Sequence, residues 1–284
     1  MRRSASPSNP GESELRLAPE GTERILTGFL RHEVERVGWR RVVLGLSGGI
    51  DSAVVAALAT RALGAGAVTA VLMPYRASHP LSLAHAELML GTLGILGEKI
   101  EITPMVDAFA RQTGAADPHR LGNVMARARM TVLYDRSAAD GALVLGTSNK
   151  TELLLGYGTL HGDLASALNP IGDLYKTQVR ALAAHLGIPA AIRRKAPSAD
   201  LWPAQSDEAD LGFSYDEVDR LLALLIDARM SRASVVRAGF AEALVDRVTR
   251  MVVRSQFKRR LPVIAKVSTR SIGWDFRYPR DWRT

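Results

Sequence analysis

The residues with the clearest chemical potential lie in a Ser-Gly-Gly-Ile-Asp-Ser run at residues 47–52. An apolar, strand-like run precedes it at 42–46, and an alanine-rich, helix-like run follows it at 53–59. Adjacent glycines let backbone N–H groups approach an anion closely, and a helix N-terminus adds partial positive charge. The two serines can donate hydrogen bonds, and the Asp51 carboxylate suits Mg²⁺ carried by a nucleotide. The run therefore predicts a phosphate-binding loop, in preference to a plain glycine-rich turn capped by Ser47.

A second polar segment follows another apolar run, at 143–145. Gly146 ends the predicted strand, and Thr147 and other small polar residues come directly after it. Open α/β sheets bind their ligands at the carboxyl ends of their strands, so this segment and the 47–52 loop are expected at one edge. Glu152 lies within one helical turn and can complete a Mg²⁺ site with Asp51. The chain lacks the Gly-Lys-Ser/Thr ending of a Walker loop, so a Walker NTPase is not predicted.

Apolar, β-branched runs alternate with helical patterns, which indicates parallel β-α-β units. The predicted fold class is α/β, with a Rossmann-like open parallel sheet, helices on both faces and a C-terminal helical extension. Strands are predicted at 42–46, 68–73, 99–102 and 142–146. Helices are predicted at 21–37, 52–63, 82–96, 123–139, 176–186, 218–225, 234–238 and 241–256, with a Ser214/Glu217 capping box before 218–225.

Composition narrows the class of protein. The 284 residues, 47% hydrophobic and 23% charged, are typical of a soluble α/β domain, and no apolar run approaches the length of a membrane span. Residues 1–19 are polar with three prolines, which predicts a disordered tail rather than a signal peptide. The absence of cysteine excludes disulfides, a thiolate nucleophile and a Cys-ligated metal, and favours a cytoplasmic location.

Positive charge is concentrated near the C-terminus. Residues 227–284 hold 14 of the 37 Lys and Arg residues but 5 of the 29 Asp and Glu residues. Such an excess can bind nucleic acid or a small polyanionic substrate, or can be a solvated helix face. The segment also contains Trp274, Phe276, Tyr278 and Trp282, whose density predicts docking. We expect residues 20–284 to form one domain, with C-terminal helices and an aromatic tail in 227–284.

Several motifs carry a resemblance to known families. The 47–52 run resembles the pyrophosphate loop of the N-type ATP pyrophosphatases, which cleave ATP between its α- and β-phosphates. Gly-Thr-Ser-Asn-Lys-Thr-Glu at 146–152 and Gly-Tyr-Gly-Thr-Leu-His-Gly-Asp at 156–163 resemble the ammonia-dependent NAD synthetase family more specifically. So do Asn-Pro-Ile-Gly-Asp-Leu-Tyr-Lys-Thr-Gln-Val at 169–179, Ala-Pro-Ser-Ala-Asp-Leu at 196–201, Gln-Ser-Asp-Glu at 205–208 and Phe-Lys-Arg-Arg at 257–260.

The resemblance implies a two-step ligase reaction that completes NAD biosynthesis. The enzyme binds ATP and deamido-NAD, whose nicotinic carboxylate attacks the α-phosphorus while pyrophosphate leaves. Ammonia then displaces AMP from the acyl-adenylate to give NAD. No protein nucleophile is expected, because the substrate carboxylate has that role.

Family residues transfer to matched positions in this sequence. Contacts with ATP are implied for Gly45, Leu46, Ser47, Gly48, Gly49, Ile50, Asp51, Ser52, Met73, Thr147, Lys176 and Ser198. Asp51 and Glu152 are expected to hold Mg²⁺, and Lys176 is expected to cover phosphate charge. Arg127 and Lys258 are expected to contact deamido-NAD. Surface charge or an inter-subunit ion pair stays open for Arg127 and Arg129, and a plain core position stays open for Met73.

Three positions depart from the commoner bacterial pattern of this family. Leu160 replaces a lysine, Ala167 an acidic residue and Phe257 a histidine, so Leu160 and Ala167 do not transfer as charged contacts. Two other functions stay open. One is another adenylating ATP pyrophosphatase, such as a tRNA-modifying ligase, which is disfavoured because no cysteine can relay sulfur. The other is a non-enzymatic nucleotide-sensing or RNA-binding module, which would leave the carboxylates and Lys176 without a shared purpose.

The nitrogen source and the assembly are also predicted. Glutamine-dependent synthetases carry a glutaminase domain with a cysteine nucleophile, so a cysteine-free chain of this length is expected to use free ammonia. A separate glutaminase partner stays open. The resemblance implies a homodimer with the substrate site near the subunit interface. No membrane or nucleic-acid partner is expected.

Overall fold

The computed structural model of the chain describes residues 9–115, 117–202, 205–260 and 262–271. Within these residues four parallel strands form a sheet in the order β3-β2-β1-β4, made of β1 (Arg41–Gly45), β2 (Val68–Leu72), β3 (Leu96–Lys99) and β4 (Ala142–Leu145). The helices are α1 (Pro19–Arg36), α2 (Ile50–Leu63), α3 (Pro80–Leu93), α4 (Thr103–Thr113), α5 (Pro118–Asp140), α6 (Lys150–Leu155), α7 (Lys176–His185), α8 (Ala190–Arg193), α9 (Asp207–Leu211), α10 (Tyr215–Leu222), α11 (Arg232–Arg237) and α12 (Glu242–Arg254). Short 3₁₀ turns lie at Ala65–Ala67 and Gln256–Arg259, and a π-helical turn, Ala223–Asp227, directly follows α10.

The sheet has helices on both faces because its central strands are apolar on both sides. Val42 and Leu44 of β1 belong to a core shared with α1, α2, α3 and α7. Val43, which points the opposite way, belongs to a second core shared with α4 and α5. All three valine and leucine side chains are fully buried, as the two-residue period of a strand requires. The predicted Rossmann-like parallel α/β fold is confirmed.

A third apolar core holds the helices of the C-terminal extension together. Its buried members include Leu155 of α6, Leu211 of α9, Leu221 of α10, Val235 of α11 and Val248 of α12. This core is separate from the two that cover the sheet, and it contains α6, which directly follows β4 apart from a short turn. The predicted helical extension is therefore present, and its core includes α6, which follows the edge strand β4.

The edge strand β3 lies three residues before the strand predicted at 99–102. Its sequence, Leu-Gly-Glu-Lys, has low β-propensity and is mostly exposed, so no apolar alternation marks it. The alternation that suggested a strand comes from Ile100 and Ile102. Ile102 is buried against the core under α4, which begins at the next residue and was not predicted. The predicted placement of the third strand was therefore wrong.

Residues 9–18 pack against the domain, although disorder was expected as far as residue 19. Leu15 contacts the core of the C-terminal helices, and Leu17 contacts the core beneath the sheet. Gly11 has a φ of +82°, and a Cβ there would lie 2.5 Å from the Arg220 carbonyl oxygen. Residues 1–8 lie outside the described residues, and so do the four aromatic residues predicted to dock, Trp274, Phe276, Tyr278 and Trp282. Among the described helices, none combines the length and the apolar character that crossing a membrane requires.

Asp219 on α10 joins the C-terminal extension to the helices nearest the sheet. The residue is completely buried. One carboxylate oxygen accepts a hydrogen bond from the Thr151 hydroxyl on α6 at 2.5 Å, and the other accepts from the Thr177 N–H on α7 at 2.8 Å. The Thr151 hydroxyl oxygen also accepts from the Lys176 N–H at 3.0 Å. This network fixes the first turns of α6 and α7 relative to each other.

We expect Asp219→Ala to lower the free energy of unfolding by about 2–4 kcal/mol, because the Thr151 hydroxyl and the Thr177 N–H lose the acceptor that joins them. Asp216→Ala is the matched control. Its side chain is 75% exposed and pairs with Arg180 at the surface, so a change of about 0.5 kcal/mol or less is expected. Urea unfolding followed by circular dichroism measures both variants. Equal losses of stability would contradict the role given to Asp219.

Candidate active site

The loop between β1 and α2 is closed upon itself by its two serine hydroxyls. The Ser52 hydroxyl accepts from the Ser47 N–H at 3.2 Å and donates to the Gly49 carbonyl at 3.1 Å. The N-cap of α2 is Gly49, so Ser47 does not cap the helix. Gly48 has a φ of +73°, and a Cβ there would lie 2.0 Å from the Ser82 carbonyl oxygen, which only glycine permits. The loop therefore leaves backbone N–H groups at a helix N-terminus, as a phosphate site requires.

A cavity of about 680 Å³ opens at the carboxyl ends of β1, β2 and β4. The structure brings to its wall every residue expected to contact ATP except Gly48, which instead packs against α3. The members of this set are Gly45, Leu46, Ser47, Gly49, Ile50, Asp51, Ser52, Met73, Thr147, Lys176 and Ser198. Met73 also belongs to the core under α4 and α5, so the two alternatives for this residue are compatible.

Lys176 lies between the two carboxylates expected to hold metal. Its ammonium donates to Asp51 Oδ2 at 2.6 Å and to Glu152 Oε1 at 3.3 Å, and its side chain is only 3% exposed. Asn149 Nδ2 donates to the other Asp51 oxygen at 3.0 Å. Asn149 and Glu152 also form the capping box of α6. Each charged residue sits in the first turn of a different helix, so three helix N-termini converge here.

The environment shifts the pKa values of Glu152 and Lys176. Burial raises the pKa of Glu152, and the Lys176 charge opposes that rise only in part. Burial lowers the pKa of Lys176, but the carboxylates of Asp51 and Glu152 outweigh it and raise that pKa overall. Lys176 is therefore held as an ammonium ion throughout the physiological range.

The donor set suits a divalent cation that arrives with a nucleotide. Asp51 and Glu152 are each about one-sixth exposed, face the cavity and already share one positive charge. Mg²⁺ is bound in proteins by one or two carboxylates, with substrate phosphates and water completing its octahedron. No group of three or more potential acidic, histidine or cysteine ligands occurs among the described residues. The two carboxylates thus fit a metal whose other ligands come from substrate and solvent.

The arginine that faces the cavity from α5 is Arg129 rather than Arg127. Arg127 is exposed, does not line the cavity and donates to the Leu160 carbonyl at 3.4 Å. Arg129 lines the cavity and donates from Nε to the Met73 carbonyl at 3.1 Å. Residues two apart on a helix point to nearly opposite sides. Arg129 lies four residues after the buried Met125 and therefore on the same face of α5. This spacing is visible in the sequence and could have distinguished Arg129 from Arg127.

Lys258 also reaches the cavity, but its ammonium is occupied. It donates to the Gly156 carbonyl at 2.8 Å and to the Gly158 carbonyl at 2.7 Å. Burial lowers the pKa of Lys258, and the nearby Asp163 carboxylate opposes that shift. The Lys258 ammonium thus fixes the turn that follows α6, and the Lys258 side chain also lines the cavity.

Sequence reasoning missed a buried acidic group beside Lys176. Asp207, at the start of α9, accepts hydrogen bonds from the hydroxyls of Tyr157 and Tyr215, both at 3.1 Å. The Tyr215 ring centroid lies 5.1 Å from the Lys176 ammonium, within the range of a cation–π contact. Burial raises the pKa of Asp207, and Lys176 opposes that rise. Both Tyr157 and Asp207 fall within motifs noted above, but their meeting depends on how the C-terminal helices pack.

Comparison with known proteins agrees with this geometry. A family model described as NAD synthase matches residues 23–262. An NH(3)-dependent NAD(+) synthetase from Chlorobium phaeobacteroides is 60% identical over 261 residues, which cover 92% of this chain and 94% of that protein. The solved NH3-dependent NAD synthetase from Campylobacter jejuni has a TM-score of 0.77 and 37% identity, covering 88% of this chain and 100% of that chain. The NMN synthetase from Francisella tularensis has a TM-score of 0.78 and 33% identity, covering 88% and 99%. The pyrophosphate-type loop, the shared carboxylates and these matches lead to one conclusion: the chain belongs to the NAD synthase family.

Proposed function

We propose that this protein catalyses the ATP-dependent amidation of deamido-NAD by ammonia, which yields NAD, AMP and pyrophosphate in the last step of NAD biosynthesis. The observation that carries the proposal is the Asp51–Lys176–Glu152 cluster facing a phosphate-type loop in one cavity. Relatives about 60% identical over most of the chain are named ammonia-dependent NAD synthetases, which favours this reaction over a tRNA-modifying ligase. The NMN synthetase is more distant at 33% identity, which favours the dinucleotide as substrate.

The NAD synthase family uses ATP with a metal ion. We propose Mg²⁺ as that ion and Asp51 and Glu152 as its protein ligands. When bound, Mg²⁺ neutralises negative charge on the ATP phosphates. The protein cluster supports the proposal because Asn149 and Lys176 hold both carboxylates at fixed positions before any ligand arrives.

The first chemical step places negative charge where the loop can receive it. The nicotinic carboxylate forms a bond to the α-phosphorus, and the bond from that phosphorus to the bridging oxygen breaks. The electron pair leaves with pyrophosphate, so charge grows at the β-phosphate. The loop N–H groups, the Ser47 and Ser52 hydroxyls and the start of α2 stabilise that charge. Lys176 adds a nearby ammonium, and Thr147, Ser198 and Met73 line the nucleotide's side of the cavity.

The second step needs little from the protein beyond exclusion of water. The ammonia lone pair attacks the acyl carbon, the bond from that carbon to the AMP oxygen breaks, and the nitrogen loses one proton to water, which gives the neutral amide and AMP. Free ammonia is the proposed nitrogen donor, in line with the names of the relatives and with a chain that contains no cysteine. We place the enzyme in the cytoplasm, with residues 20–284 acting as one catalytic domain.

We propose a homodimer with the substrate site near the subunit interface, where deamido-NAD contacts the exposed Arg127. An arginine that points away from its own cavity can contact deamido-NAD only where a substrate extends beyond that cavity, as at a subunit interface. Lys258 lies on the cavity wall and is the proposed second contact, through the turn that it fixes. Arg129 faces the cavity directly and adds positive charge on the same wall.

The first test is a reaction with ATP, Mg²⁺, deamido-NAD and ammonium chloride, in which each component is omitted in turn. We expect equal amounts of AMP and NAD, quantified by chromatography, only when all four are present. Nicotinic acid mononucleotide in place of deamido-NAD is expected to give product at a rate at least about tenfold lower. AMP release without NAD, or equal use of the mononucleotide, would contradict the proposed substrate.

We expect Asp51→Asn and Glu152→Gln each to reduce kcat/KM for ATP by about 10²–10³-fold, because each removes a charge from the ligand pair next to the phosphates. Thermal melting should stay cooperative in both variants. Glu101→Gln, an exposed residue outside the cavity, is the control and should keep wild-type rates. A kcat/KM near the wild-type value in either cavity variant would overturn the proposal that Asp51 and Glu152 bind the metal ion.

We expect sedimentation equilibrium at micromolar concentration to give twice the 30.7 kDa mass of one chain. Arg127→Ala should raise KM for deamido-NAD by about tenfold and leave KM for ATP unchanged, because a lost charge-assisted contact costs about 1.5–3 kcal/mol. A monomeric mass, or a change confined to ATP, would overturn the proposed assembly and the role of Arg127.

A further inference from the structure

Lys195 lies after α8 and lines the same cavity as the phosphate loop. Its ammonium donates to the Ser82 hydroxyl, in the first turn of α3, at 2.8 Å. The carbonyl of Ser82 in turn lies directly against Gly48, where an added Cβ would be only 2.0 Å away. One residue of α3 therefore connects Lys195 to the glycine turn of the loop. No role for Lys195 follows from the motifs considered above.

The other two lysines of the cavity wall each have two hydrogen-bond acceptors among the described residues. Lys176 is shared between Asp51 and Glu152, and Lys258 donates to two backbone carbonyls. Lys195 differs in the number of its acceptors: among the described residues its ammonium has one hydrogen-bond partner, the neutral Ser82 hydroxyl, and no carboxylate within 4.0 Å. Asp200, the carboxylate that attracts it from farther away, accepts two hydrogen bonds from the His79 N–H at 3.0 and 3.2 Å.

The surroundings of Lys195 favour an anion. Burial lowers the pKa of Lys195, with Asp200 opposing, so its charge lacks full compensation from protein groups. The N-terminus of the 14-residue helix α3 opens onto the cavity beside it, with Pro80 and Ser82 on the wall. A helix N-terminus carries partial positive charge, and here it acts together with a half-buried ammonium.

We propose that Lys195 binds the β- and γ-phosphates of ATP, the part of the nucleotide that leaves as pyrophosphate. The ammonium stabilises the negative charge that the bridging oxygen gains when its bond to the α-phosphorus breaks, and no proton is transferred. Lys176 adds its charge from the side of the cavity that holds Asp51 and Glu152. This inference rests on the proposed function in that the bound nucleotide is ATP.

The binding test compares a non-cleavable ATP analogue, α,β-methylene-ATP with Mg²⁺, against AMP, which lacks both outer phosphates. Calorimetry is performed on the full chain as wild type, Lys195→Met and Lys195→Arg. Arg194→Met is the matched control, because it removes the same charge from an exposed neighbour outside the cavity. We expect Lys195→Met to raise the Kd of the analogue at least about tenfold and the Kd of AMP less than about twofold. Lys195→Arg should recover most of the affinity, and Arg194→Met should match wild type.

Two results would overturn the inference. Equal weakening of both ligands would show that Lys195 only supports the fold, and unchanged affinity for the analogue would show that it does not touch the phosphates. Turnover separates this inference from the proposed function. Loss of analogue binding in a chain that makes no NAD would leave the phosphate contact standing and remove the function. If the wild type makes NAD and Lys195→Met binds the analogue normally, the proposed function stands and the phosphate contact of Lys195 is overturned.

Discussion

The arrangement of the site depends on one buried ammonium held between two carboxylates. A lysine as buried as Lys176 would lose several kcal/mol of hydration, and only close, well-oriented acidic partners can offset that cost. Those partners, Asp51 and Glu152, come from α2 and α6. The ion cluster can therefore form only where the first turns of α2, α6 and α7 meet. Carboxylates in first turns are also favoured by the helix dipoles, so the same geometry stabilises the fold and concentrates charge.

The C-terminal helices set the position of this cluster, although they contribute none of its three charges. Tyr175 and Leu155, which flank the cluster along the chain, are buried in the core of those helices. Asp219 of α10 holds the first turns of α6 and α7 together, and the Tyr215 ring lies against the Lys176 ammonium. The extension is thus part of the active-site framework. A change in its packing would move Lys176 relative to the phosphate loop.

The fold was predictable where apolar patterns were strong, and the site only where motifs were contiguous. The continuous apolar run Val42, Val43 and Leu44 indicated a strand with helices on both faces, and the structure confirms it. The edge strand at 96–99 was not predicted at its observed position, because its residues are mostly exposed, have low β-propensity and form no apolar run. Arg127 and Arg129 could have been separated by helical periodicity. The roles of Asp207 and Lys195 could not have been predicted in this way, because their partners come from segments that are distant in sequence and that only tertiary packing brings together.

The charges along the cavity wall disfavour a polyanion that arrives without a cation. Among the described residues the wall carries six carboxylates, from Asp51, Glu152, Asp163, Asp200, Asp207 and Asp210, against four cations, from Arg129, Lys176, Lys195 and Lys258. Burial raises the pKa of Glu152, Asp163 and Asp207, which reduces that negative charge only in part. A nucleotide that arrives with a metal ion is therefore favoured over the bare nucleotide, because the ion reduces the repulsion between the phosphates and these carboxylates. The distribution of charge on this wall is thus suited to the metal-bound ATP that the NAD synthase family uses.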